Sequence, residues 1–92
     1  MINHVSLGVA DLATTKRFYD AALAPLGYTC LSSDDTSLGY GREAVALWIS
    51  PSKRPVAADP ASGLHICFDA PDPAAVEAFH AAALAAGGAD NG

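Results

Sequence analysis

The chain is poor in basic residues, with five Lys and Arg against ten Asp and Glu and a formal net charge of −5. Phosphate backbones need a basic footprint, so nucleic acid is excluded as a partner. No apolar run approaches the roughly 20 residues that span a bilayer, and the N-terminus lacks a signal-peptide pattern. A cytoplasmic protein with no membrane partner is expected. Cysteine is scarce: Cys30 and Cys67 lack C-x-x-C spacing, which argues against a zinc knuckle or a redox pair and for two reduced thiols. Ser-His-Asp and glycine-rich phosphate signatures are missing as well. Charged residues make up only 16% of the 92, yet 51% are hydrophobic, so a packed core is expected and disorder is not. Much of that apolar content is alanine, which predicts a thin core in one small domain and makes help from a second subunit plausible.

What is present is a repeat. Displaced by 61 residues, "HVSLGVADLATTKRFYDAALAPLG" falls over "HICFDAPDPAAVEAFHAAALAAGG". His4 meets His65, Asp11 meets Asp72, Phe18 meets Phe79 and Gly27 meets Gly88, in order and without a gap. Each copy reads as a strand followed by a helix. In the first strand Val5, Leu7 and Val9 alternate with His4, Ser6 and Gly8. In the second, Leu64, Ile66 and Phe68 alternate with His65, Cys67 and Asp69. Asp11 and Asp72 stand where an N-cap belongs, and Pro73 suits the first helical position. Leu12, Phe18, Ala22 and Leu23 give the first helix its apolar side. Val76, Phe79, Ala83 and Leu84 are expected to do so for the second. Gly27 and Gly87-Gly88 are helix stops.

Between the copies, "YTCLS" has strand composition, "SDDTS" is a turn cluster and "LGYG" is a short extended piece. "EAVALWIS" alternates, which predicts Val45, Leu47 and Ile49 toward the helix and Ala46 and Trp48 on the opposite side. Residues 1–50 thus read as a βαβββ module, 51–62 as a linker rich in Pro, Ala and Ser, and 63–92 as the βα start of a second module. About three strands of that second module are missing by analogy with the first. The expected class is α+β, tandem βαβββ modules forming a curved mixed sheet around a cleft, together one domain.

Duplicated βαβββ units that each open on a strand histidine resemble the vicinal oxygen chelate superfamily, which includes glyoxalases, extradiol dioxygenases and bleomycin-resistance proteins. The helix "RFYDAALAPLGY" is similar to the F-Y-x-x-x-L-x-x-L-G-[FY] pattern of that group, through Phe18, Tyr19, Leu23, Leu26, Gly27 and Tyr28. The resemblance implies that His4 and His65 ligate a divalent metal: Fe, Mn, Zn, Ni or Co. It also implies a carboxylate as third ligand. "EAVALWIS" supplies none beyond Glu43, so that ligand is expected after Gly92. Two neutral imidazoles and a carboxylate would leave coordination positions for substrate oxygens.

Trp48 is then a cleft wall for a ring or alkyl group, with Tyr40 a weaker candidate. Ser6 and Cys67, each two residues after a histidine, are candidate substrate contacts. The plainer readings are a packing role for Trp48, a buried thiol at Cys67, an exposed His80, and linker charges at Lys53 and Arg54. Three functions compete. One is a metal-dependent glyoxalase- or dioxygenase-like enzyme acting on a small oxygenated molecule. Another is a metal-free module that binds a flat or aromatic ligand. The third is an interaction domain with a degenerate cleft. A homodimer is the expected assembly, with the cleft formed within one chain or between two.

Overall fold

Alternation of apolar residues writes four strands, and two capped apolar stretches write two helices. In chain order these are β1 (Val5–Val9), α1 (Leu12–Leu23) with a 3₁₀ turn at Ala24–Leu26, β2 (Thr29–Ser33), β3 (Leu38–Gly41), β4 (Val45–Pro51), a 3₁₀ turn at Pro60–Ser62, and α2 (Pro73–Ala85). They come from a computed structural model that describes residues 1–57 and 59–90. Ala58, in the linker, and Asn91 and Gly92, at the end of the second copy, lie outside the described residues.

The capping chemistry of the two copies matches. Asp11 accepts from the Thr14 amide at 3.0 Å and Asp72 from the Ala75 amide at 2.8 Å, satisfying donors that a first helical turn leaves free. Gly27 closes the 3₁₀ turn at φ 85°, a left-handed conformation that costs glycine little. The "SDDTS" turn is held by Asp34, whose carboxylate accepts from the amides of Thr36 and Ser37.

The strands form one mixed sheet of order β1-β4-β3-β2, with β1 parallel to β4 and the other pairs antiparallel. Both helices lie on one face. There Leu23 and Leu26 from the α1 side and Ala75 from α2 meet Leu38, Tyr40, Leu47 and Ile49 from the sheet. Phe79 and Phe68 pack against the same cluster. The second helix keeps Phe79 inward and Ala83 half-buried as its sequence suggests, but its inward side is shifted away from Val76 and Leu84. Ala75 is buried, whereas Val76 is 53% and Leu84 40% exposed. Small residues let α2 approach α1 closely, and Gly88 continues this contact against the ring of Phe18.

The second expected strand does not form. Leu64 to Asp69 make no strand pairing, because a strand exists only through a ladder to a neighbour and this segment reaches none. It is held by side chains instead. Phe68 packs between Tyr28 and Phe79, with ring centroids 6.4 and 6.3 Å away, and the Tyr28 hydroxyl donates to the Asp69 carbonyl at 3.2 Å. Among the described residues the architecture is α+β, a four-stranded open sheet with two helices on one side.

Candidate functional site

The face of the sheet away from the helices is open, and strand register decides what lies on it. Ser6 on β1, Trp48 on β4 and Gly39 on β3 are cross-strand partners and form one row. Val5, Leu7 and Val9 pack on the helix side, which leaves Ser6 and Gly8 facing outward. Trp48 lies over its glycine neighbour: a β-carbon built on Gly39 would stand 2.8 Å from Cζ3 of the indole. A glycine here makes room for the ring to lie along the sheet.

A β-bulge changes the expected pattern. Tyr40 pairs with Leu47 but Gly41 pairs with Val45, so Ala46 is an extra residue in β4. The additional residue breaks the two-residue alternation. Val45, expected toward the helices, joins the open face, where its methyls would meet the same Gly39 β-carbon at 2.9 and 3.0 Å. Ala46, expected on the open face, instead lines a cavity with Leu47. A second bulge sits in β2, where Cys30 pairs with Tyr40 and Ser32 with Gly39, leaving Leu31 unpaired.

That cavity, about 310 Å³, lies on the helix side between the start of β1 and the segment at Ile66–Asp69. His4, Tyr40 and Cys67 are among its lining residues, whereas Ser6, Trp48 and His65 are not. The candidate residues therefore divide between two places. Tyr40 lines the cavity from the helix side and does not stand on the open face with Trp48. It is 1% exposed, and its hydroxyl donates to Asp20 Oδ1 at 2.8 Å. Burial first, and then the Asp20 carboxylate beside it, raise its pKa far above the ordinary phenol value, so it stays protonated. Cys67 is exposed rather than buried, because its segment forms no strand to cover it.

His4 sits just before β1 and is exposed. Its Nδ1 donates to the Asn3 side-chain oxygen at 2.9 Å, which leaves Nε2 as the free ring nitrogen. His65 is exposed in the unpaired segment. Among the described residues no three His, Cys, Asp or Glu side chains gather in a group that could hold a metal ion. To complete a chelating set, His4 and His65 would need a third donor from outside the described residues.

A solved structure shares this architecture. It is described as a glyoxalase/bleomycin resistance protein from Albidiferax ferrireducens T118, at TM-score 0.78 and 33% sequence identity, with 92% of this chain and 68% of that chain covered. The chain belongs to the glyoxalase/bleomycin resistance family. It is a member of the vicinal oxygen chelate superfamily, as its repeat and its helix pattern suggest. No family model and no curated protein matches the sequence. Among the described residues no helix is long and apolar enough to cross a membrane.

In this family member, Gly39 and Val45 are open-face neighbours of Trp48 that alternation alone misses. One signal does stand in the sequence. "LGYG" places glycines at alternate positions, which marks a strand approached closely by other groups. At Gly39 the neighbours are Trp48 and Val45, and at Gly41 the Ala44 carbonyl.

Proposed function

We propose that this family member binds a flat, partly aromatic small molecule on the open face of its sheet, against Trp48. The observation that carries the reading is the Ser6–Trp48–Gly39 row. An indole held along an uncovered sheet, with small and polar neighbours, offers an apolar platform with hydrogen-bonding groups at its side. The related structure's description names bleomycin resistance, so bleomycin is the probe of choice. Calorimetric titration should give saturable binding that weakens by about tenfold or more in Trp48→Ala, the effect of removing one stacking platform. Equal affinity in both proteins would remove the open face from consideration.

A second reading keeps the metal-dependent enzyme of glyoxalase or dioxygenase type. His4 and His65 occupy equivalent points of the repeat, and Asn3 leaves one nitrogen of His4 free. In this reading the two imidazoles hold a divalent ion together with a donor from outside the described chain, and the substrate is a small oxygenated molecule. Metal analysis of purified protein should show bound metal that falls in both His4→Ala and His65→Ala. Unchanged content in the two variants rejects it.

A further inference from the structure

The cavity on the helix side has an apolar floor, aromatic walls and one unmatched charge. Leu23, Tyr40 and Leu47, all buried, form its floor. Tyr28 and Phe68 are half-buried beside it, with ring centroids 6.4 Å apart and ring planes tilted by 55°. Its volume is about 310 Å³. A dry cavity of about 150 Å³ already takes benzene, so a ring with a short side chain fits here.

The polar groups around this space are unequal. The Tyr28 hydroxyl donates to the Asp69 carbonyl at 3.2 Å and the Tyr40 hydroxyl to Asp20 at 2.8 Å, so neither phenol proton is offered to a guest. Asn3 supplies a neutral amide, whose oxygen already accepts from His4. Among the described residues that line the cavity, Asp69 is the only Asp, Glu, Lys or Arg. Its carboxylate has no hydrogen-bond or ion-pair partner among the described residues. Arg42 lies over the Tyr28 ring, 4.6 Å from its centroid, but it donates to the Leu26 carbonyl and does not line the cavity.

We propose that this cavity binds a small primary amine carried on a ring, with the ring against Tyr28 and Phe68 and the ammonium at Asp69. Apolar walls favour the ring, aromatic faces attract the cation, and the unpaired carboxylate supplies the opposite charge. The net charge of −5 adds a field of the same sign. The site shares no residue with the Ser6–Trp48–Gly39 row and does not call on the His4 ring nitrogen. It is therefore independent of both readings above.

NMR titrations with benzylamine, benzyl alcohol and benzoate test this, because the three share a ring and differ in charge. Benzylamine should saturate with shifts at Leu23, Leu47, Ile66 and Phe68 and none at the Trp48 indole. It should bind about fivefold more tightly than benzyl alcohol, the upper end for one exposed ion pair, with benzoate weakest. Asp69→Asn keeps the packing and should bring benzylamine to the affinity of benzyl alcohol, which itself stays unchanged. The order of the three ligands in the unaltered protein decides the matter even if that variant does not fold. Benzoate binding as tightly as benzylamine, shifts centred on Trp48, or no saturation in the millimolar range overturns the proposal. So does an Asp69→Asn protein that keeps the preference for the amine.

Discussion

Trp48 lies along the sheet because position 39 carries no side chain: a β-carbon at Gly39 would stand 2.8 Å from the indole and 2.9 Å from a Val45 methyl. The open face at Trp48 is thus shaped by an absence as much as by a ring. Gly39→Ala must displace Trp48, Val45 or both. A stability loss of about 1–3 kcal/mol is expected, the usual result of overpacking. A shift in tryptophan emission should accompany it, since the chain has only one Trp. Denaturation followed by that emission measures both effects.

The bulge at Ala46 sets a contrast between two β-branched residues of one strand. Ile49 is fully buried on the helix side, whereas Val45 faces the open side. Val45→Thr should cost less than about 1 kcal/mol, and Ile49→Thr about 2–4 kcal/mol, because only the latter leaves a cavity and a hydroxyl in the core. Urea unfolding of both variants decides the matter. Equal losses would put the two residues on the same face.

Tyr40 and Asp20 join the sheet to α1 through a 2.8 Å hydrogen bond, and Lys16 donates to the other oxygen of the same carboxylate at 2.7 Å. Tyr40→Phe keeps the packing and removes the hydroxyl. The expected loss is about 1 kcal/mol, the usual net contribution of one hydrogen bond. Ligand affinity should be unchanged, since Tyr40 is on the helix side. A loss of affinity without loss of stability would contradict this placement.

Acid stability should follow the caps. Asp11, chiefly through the Thr14 amide, and Asp34, chiefly through Thr36, have pKa values held below the ordinary 3.8. A depressed folded-state pKa contributes stability that is present above the unfolded value and lost as pH falls through the folded one. The thermal midpoint should therefore fall as pH drops below about 4. That decline should be shallower in the Asp11→Asn, Asp34→Asn double variant, which keeps the capping geometry but cannot titrate. Parallel curves for the two proteins would show that other carboxylates govern acid unfolding.

Much of the fold is legible in the chain because local chemistry and tertiary packing agree. The caps at Asp11 and Asp72, the stop at Gly27, the turn at Asp34 and the four strands of the first copy follow from residue type and spacing. The departures have physical causes that no spacing carries. One extra residue in β4 exchanges the faces of Val45 and Ala46. The strand expected around His65 depends on a neighbouring ladder that alternation cannot supply. Tyr40 belongs to the core because Asp20, twenty residues earlier, satisfies its hydroxyl. On α2, tight contact with α1 favours the alanine side over the one bearing Val76 and Leu84. Of the candidate site, Ser6 and Trp48 fall on one face as alternation suggests, while His4 and Cys67 line the cavity on the other side.

The central claim is that ligand meets the open face at Trp48. Amide and indole NMR shifts recorded during titration with bleomycin test it most directly. The account predicts saturating shifts at the Trp48 indole, Ser6 and Gly39, with Ile66 and Phe68 unmoved. Shifts confined to Ile66–Asp69 and His4 would place the ligand in the cavity beneath the sheet, and contradict it.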